Sequence, residues 1–156
     1  MAKSSLELIK KLREETGAGV VDCRTALEEN DGDIAKAKEF LVAKGLEKAA
    51  KKADRVANSG LVFAYIHGGG KVGAMVEIAC ETDFVAKTDE FNHLAKEIAM
   101  QVASMDAKDL EELLAQSYIR DSKMTIDGLV KSAVAKIGEN IMIKRFVRYG
   151  LGEEIE

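Results

Sequence analysis

Proline and tryptophan are absent from the 156 residues, and the sequence has only two cysteines and two histidines. Without proline, every helix or strand has to end at Gly, Asn, Asp or Ser. Two cysteines cannot build a disulfide framework, and their spacing to the two histidines matches no zinc-ligand pattern. We therefore expect no structural metal, no cofactor and a reducing, cytoplasmic environment.

Long apolar runs are also missing, because no segment reaches the length that is needed to span a bilayer. The first residues show neither an apolar signal core nor an Arg-rich transit pattern. Lys and Arg number 23 against 27 Asp and Glu, a net charge of -4, which disfavours a partner that is bound mainly through its phosphates. Hydrophobic residues make up 47 %, enough for a packed core. We expect a soluble globular protein that binds neither a membrane nor nucleic acid directly.

The first part of the chain predicts three short helices. Apolar residues recur there at helical spacing in three segments, separated by Gly17–Gly19 and Asn30–Asp33 and ended by Gly45. Residues 46–58 are rich in Ala and Lys, with few large apolar side chains, and predict an exposed connecting helix. The sequence thus indicates a helical module at 1–45, with the connecting helix at 46–58.

The apolar period changes from 3.6 to 2 after Asn58, where a second domain, residues 59–156, is predicted to begin. Two alternating segments flank Gly68–Lys71 and predict a β-hairpin. The later segments predict three helices and one strand, at 84–104, at 109–116, from Thr125 or Asp127 to Gly138, and at 140–149. We therefore expect a three-stranded antiparallel sheet with helices on one face, an α+β fold.

None of the groups that could act in catalysis has a partner at diagnostic spacing. His67 is followed by Gly68–Lys71, but this glycine run lacks the Ser or Thr and the helix that a phosphate-binding loop requires. Asp31–Asp33 lacks the glycine and the closing glutamate of a calcium loop. Cys23 and Cys80 lie in apolar segments, which is typical of buried, unreactive thiols. We expect no catalytic residue and no metal site.

The segment Glu81–Ala86 allows two interpretations. It is either a capped strand-to-helix corner in which Phe84 faces the core, or a corner that presents Asp83 and Phe84 together to a partner's pocket. The physics of the sequence alone leaves both open.

Two motifs resemble the signatures of a known family, translation elongation factor Ts. Residues 16–27, Thr-Gly-Ala-Gly-Val-Val-Asp-Cys-Arg-Thr-Ala-Leu, are similar to its N-terminal signature, and residues 80–87, Cys-Glu-Thr-Asp-Phe-Val-Ala-Lys, to its second. The Lys-rich connector and the end of the chain, 152–156, are similar to the family as well, so the resemblance covers essentially the whole chain.

The resemblance implies a non-enzymatic guanine nucleotide exchange factor that acts on elongation factor Tu during protein synthesis. It implies that the N-terminal module is similar to a ubiquitin-associated domain and docks on the partner's GTP-binding domain. It also implies that a second element enters near the partner's magnesium and phosphate site and promotes GDP release. The residues implied for docking are Arg13, Val20 and Val21, and those implied for the second element are Thr82, Asp83, Phe84 and Val85.

The sequence departs from the family pattern in two respects. Val20 and Val21 stand where the family often has methionine, and valine is shorter and stiffer, so docking there is expected to be weaker. Longer members carry two copies of the core subdomain, whereas this chain has room for one, which suggests a homodimer.

Two alternatives to the exchange factor stay open. A ubiquitin-associated-type adaptor would use the N-terminal module, with the core as a spacer. A small phosphotransfer or hydrolytic enzyme would use His67 and Lys71, and it ranks last because no second catalytic group supports it.

Overall fold

The structure is a computed structural model that describes residues 6–154. Helices come first, and a three-stranded sheet with further helices follows, so the predicted α+β class is confirmed. Among the described residues, no helix has both the length and the apolar character that crossing a membrane requires. The elements in chain order are α1 Leu6–Thr16, α2 Val20–Glu29, α3 Ile34–Ala50, β1 Ser59–His67, β2 Val72–Cys80, α4 Asp83–Ala86, α5 Asp89–Ser104, α6 Leu110–Ala115, β3 Ser117–Tyr118, β4 Asp121–Thr125, α7 Ile126–Ile137 and β5 Met142–Gly150.

Helices α1 to α3 pack around a small apolar core of their own. Its fully buried side chains come from the positions that recur at helical spacing, which is why each helix turns one face inward. The carboxylate of Asp33 begins α3 by accepting hydrogen bonds from the amides of Ala35 and Lys36, at 2.9 and 3.1 Å. The buried residues of this core are Ile9, Leu12, Cys23, Ala26, Leu27 and Ala37.

The prediction that a helix ends at Gly45 and that a separate connecting helix covers 46–58 is wrong. Helix α3 continues through Gly45 to Ala50, and turns follow until β1 begins at Ser59. The glycine allows close packing instead of ending the helix, because a Cβ added there would lie 3.1 Å from the Cβ of Ala135 in α7. Helix α3 thus joins the helical module to the α+β part. The division of the chain into separate domains stays a prediction.

The sheet has the order β1-β2-β5, with both neighbouring pairs antiparallel. Its inner face, which includes Phe63 opposite Val76 and Val76 opposite Phe146, packs on the core. Alternate residues point the other way, as the period of a strand requires. The exposed apolar residues of that outer face are Val62, Ile66, Met75, Val147 and Tyr149.

Two further features differ from the prediction. The helix expected over 84–104 is interrupted: α4 ends at Ala86, and Thr88 begins α5 by accepting a hydrogen bond from the amide of Phe91. The pair β3–β4 was not predicted, because two residues in one strand carry too little periodicity to be recognised. Of the two predicted starts of the next helix, Thr125 and not Asp127 is the N-cap, and the predicted stop at Gly138 is confirmed by its left-handed φ of 90°.

Candidate functional site

The strand-to-helix corner between β2 and α4 forms the first part of the candidate site. Strand β2 ends at Cys80, and the Thr82 hydroxyl accepts a hydrogen bond from the Val85 amide at 3.4 Å, which caps the single turn of α4. None of the residues of α4 is buried. The local sequence therefore folds into a short, capped and largely exposed turn.

Phe84 projects from this corner into solvent. Its exposed fraction is 79 %, whereas Phe91, a second phenylalanine seven positions further along the chain, is fully buried. The neighbouring Val85 is half-buried and packs against the core of the sheet. Val85 thus anchors the turn, while the ring of Phe84 is exposed. Phe84 is therefore not a core residue.

Asp83 lies beside Phe84 and is also exposed. Its carboxylate accepts a hydrogen bond from Lys87 at 2.8 Å, and this bond together with the positive charge of Lys87 lowers the pKa of Asp83 below its ordinary value. Asp83 is therefore charged at neutral pH. The corner presents a carboxylate and an aromatic ring at adjacent positions.

Glu139, in the turn between α7 and β5, forms hydrogen bonds to the residues that lead into the corner. Its carboxylate accepts hydrogen bonds from the amides of Glu81 and Thr82, at 3.1 and 3.0 Å, and from the Thr82 hydroxyl at 2.7 Å. The Cys80 thiol donates to the Thr82 carbonyl at 3.1 Å. Sequence reasoning missed Glu139, because no local pattern links residues that are 57 positions apart.

The second group of predicted residues lies in the helical module. Arg13 is exposed in the last turn of α1, and Val20 and Val21 begin α2 with exposed fractions of 51 and 69 %. The loop Gly17–Gly19 joins the two helices. Val20 and Val21 thus lie outside the packed core. Together they form an apolar patch that is suited to contact with another protein.

The groups that a catalytic interpretation would use are His67, Lys71 and the two cysteines. The hydroxyl of Tyr65 lies 2.9 Å from Nδ1 of His67 at the exposed end of the hairpin, and the Lys71 backbone amide donates to the His67 carbonyl at 3.1 Å, a turn contact that involves neither side chain. Burial raises the pKa of both Cys23 and Cys80, which keeps the thiols protonated. Within residues 6–154, no group of three or more His, Cys, Asp or Glu side chains could hold a metal ion.

A cleft of about 600 Å³ lies between the helical module and α7. Most of its charged side chains are ion-paired: Lys44 and Lys48 both contact Asp22, at 3.2 and 2.8 Å, and Lys38 pairs with Glu15. These bonds, that from Lys48 first, lower the pKa of Asp22 although burial opposes them. Most of the charge that lines the cleft is therefore neutralised by ion pairs.

Fold and site together define an α+β protein with an exposed carboxylate and aromatic ring at a capped corner and two exposed valines on a helical module. A family model described as "Elongation factor TS" matches residues 81–155, which include the corner. Proteins named elongation factor Ts are similar over nearly the whole chain. That of Synechocystis sp. is 41 % identical over 202 aligned positions, covering 100 % of this chain and 93 % of the relative. That of Thermoanaerobacter sp. is 43 % identical, covering 97 % of each.

The chain belongs to the elongation factor Ts family. The Nostoc sp. relative is 46 % identical over 154 residues, which is 99 % of this chain and 49 % of the relative, so the chain spans about half the length of that protein. The alignment with the Synechocystis protein is longer than the 156 residues of this chain, so that relative has residues with no counterpart here.

Proposed function

We propose that this protein is a guanine nucleotide exchange factor that binds elongation factor Tu and promotes GDP release in the elongation step of protein synthesis. The observation that carries the proposal is the exposed ring of Phe84 beside the charged Asp83 on a supported corner. Membership of the elongation factor Ts family supports it. The protein acts by binding, in the cytoplasm, without a catalytic residue or a cofactor of its own.

The mechanism follows from linkage and needs no covalent step. Magnesium and phosphate groups hold a nucleotide through concentrated charge, so a protein that displaces the ion or its ligands removes much of the affinity without touching the base. Thr82 to Val85 form the element that enters this region of the partner. The factor and the nucleotide then weaken each other's binding equally, and each tenfold weakening corresponds to about 1.4 kcal/mol of coupling.

The helical module supplies the second contact, through Arg13, Val20 and Val21. Apolar valines flanked by a cation suit a surface that is partly apolar and partly acidic. This contact holds the factor on the partner while the corner acts at the nucleotide site.

The mutual weakening of factor binding and nucleotide binding provides the test. Nucleotide-free elongation factor Tu is expected to form a stable complex with this protein in size-exclusion chromatography, and GDP with magnesium is expected to dissociate it. Asp83→Ala with Phe84→Ala should make the complex less sensitive to GDP. An adaptor would bind equally well with and without nucleotide and would be unaffected by the double substitution, which would contradict the proposal.

We also propose that a second copy of the chain covers the outer face of the sheet. Val62, Ile66 and Tyr149 are each more than half exposed there. Arg145 pairs with Glu77 at 2.6 Å within the same face, so its charges are already neutralised. A face with an apolar surface and balanced charge can pair with itself about a twofold axis. Sedimentation should show a dimer that Tyr149→Asp dissociates, and a monomer at all concentrations would contradict this.

A further inference from the structure

The turn between α7 and β5, residues 138–140, makes contacts in two directions. Toward the corner, the Glu139 carboxylate accepts three hydrogen bonds from Glu81 and Thr82. In return, the Glu81 carboxylate accepts a hydrogen bond from the Asn140 amide at 2.7 Å. Each glutamate carboxylate thus accepts from backbone amides of the opposite segment, Glu139 from Glu81 and Thr82, and Glu81 from Asn140.

The turn is itself fixed from its other side. The side-chain amide of Asn140, which is 4 % exposed, donates to the carbonyls of Ala53 and Arg55 at 3.2 and 2.7 Å. Lys52 donates to the Gly138 carbonyl at 2.7 Å. The turn is therefore hydrogen-bonded to the segment that follows α3, and these bonds fix the backbone on either side of Glu139.

We propose that Glu139 is a positioning residue that holds the Thr82–Val85 corner in the orientation in which Phe84 and Asp83 meet the partner. This inference rests on the proposed exchange function and adds a residue that touches neither the nucleotide nor the partner's metal site. A carboxylate fits this place because all three groups that face it are donors. The bonds on the corner end at Thr82, directly before the two exposed residues.

The geometry explains why Glu139 matters for orientation. Helix α4 is one turn long and has no buried residue, so packing alone cannot fix its direction. Two adjacent amides and a hydroxyl held by one carboxylate define the path of the chain as it leaves β2. Without the carboxylate, Val85 keeps the turn near the core, but the side chains on either side of it can change direction.

The variant that tests the proposal is Glu139→Gln, which keeps one acceptor oxygen and places an NH₂ donor against the remaining donors. We expect GDP release from elongation factor Tu at saturating factor to slow about tenfold, as misplacement of a positioned group does. The concentration that gives half-maximal release should change less, since Arg13, Val20 and Val21 are intact. In the Glu139→Gln background, Phe84→Ala should cause a smaller loss than it does in the wild type.

Glu97→Gln is the matched control. Glu97 in α5 is a buried carboxylate that accepts from two side-chain donors, Tyr118 and Arg120, which belong to β3 and the turn after it and not to the corner. It is expected to lower the melting temperature and to leave release per folded molecule unchanged. If both glutamine variants slow release alike, or if the Phe84→Ala loss is the same with and without Glu139, the positioning role is overturned.

Two further measurements keep the result decisive. If Glu139→Gln does not fold, Thr82→Val removes the hydroxyl alone and should also slow release, while Thr125→Val, which removes the equivalent cap of α7, should not. In the free protein, amide hydrogen exchange of Glu81 and Thr82 should accelerate in Glu139→Gln, and unchanged protection of these amides would overturn the positioning role of Glu139. If the wild-type protein does not accelerate GDP release from elongation factor Tu, the proposed function is overturned, whatever the amide exchange shows.

Discussion

The carboxylate of Glu139 accepts a hydrogen bond from the amide of Thr82 and another from its hydroxyl, at 3.0 and 2.7 Å, across 57 positions of sequence. Thr82 is the last residue before the exposed pair Asp83 and Phe84. The side chains that we propose to act on the partner are therefore oriented by a part of the chain that the local motif does not include.

Phe84 and Phe91 allow a matched comparison of an exposed ring with a buried one. Phe84→Ala should change the free energy of unfolding by less than about 0.5 kcal/mol, because the ring is 79 % exposed. It should weaken exchange by about 2 kcal/mol or more, as loss of an aromatic anchor does. Phe91→Ala removes a fully buried ring and should cost about 3–5 kcal/mol of stability. Thermal melts and GDP release on both variants check this, and a large melting shift in Phe84→Ala would contradict it.

Asp83 should contribute through its charge. Asp83→Asn keeps the shape of the side chain, removes the ion pair with Lys87 and should slow exchange with little change in melting temperature, because an exposed pair contributes little to stability. The lowered pKa of Asp83 keeps the carboxylate charged at neutral pH, so this contribution to exchange should be constant there and fall only in acid. Combined with Phe84→Ala, the loss should be less than additive. Full additivity would indicate two separate contacts.

The valines of the helical module should control affinity instead of the maximal rate. Val20→Asp with Val21→Asp is expected to raise the concentration needed for half-maximal exchange, because it places charge in an apolar contact. Val20→Met with Val21→Met should lower it, since a longer, adaptable side chain reaches further. Val42→Asp in α3, where the valine is 63 % exposed, is the control and should have no effect. Equal effects at Val42 would show that the module has no specific contact there.

Ionisation of Tyr118 should lower the free energy of unfolding at alkaline pH. Burial, and then its hydrogen bond to Glu97, raise the pKa of Tyr118 from 10 to about 12. Since the folded pKa lies above the unfolded one, this contribution is complete below about pH 10 and is lost as the pH rises to about 12. Tyr118→Phe should cost about 1.5–3 kcal/mol at neutral pH and should reduce the alkaline loss. Denaturant melts between about pH 8 and 12 on the wild type and Tyr118→Phe provide the measurement, and an alkaline loss of the same size in both would contradict the prediction.

Residues with strong local signals allowed the fold class and most elements to be predicted. The alternation of β1 and β2 around Gly68–Gly70 identified the hairpin, and Gly138 identified the end of α7. Gly45 was misleading because the reason for it lies in α7, where Ala135 approaches α3. Thr88 was overlooked as a second cap because the apolar stripe continues past it. Both errors arise where a tertiary contact or a local hydrogen bond outweighs periodicity.

The candidate site was predictable only in part. Thr82 to Val85 could be located because they are adjacent and match a family motif, but the exposure of Phe84 depends on which side of a single turn faces the core. Glu139 could not be located, because its role requires that the end of β2 and the start of β5 lie side by side. The sequence pattern indicates three strands in one antiparallel sheet, but it indicates neither the order of the strands nor the hydrogen bonds in the turns beyond their ends.

Release of labelled GDP from elongation factor Tu in the presence of magnesium is the measurement that decides whether this protein is an exchange factor. We expect micromolar wild-type protein to accelerate release, and the Asp83→Ala, Phe84→Ala double variant to lose most of this acceleration while remaining folded. Removal of magnesium should reduce the difference between the two proteins. An unchanged release rate with wild-type protein, or equal acceleration by the folded double variant, would contradict it.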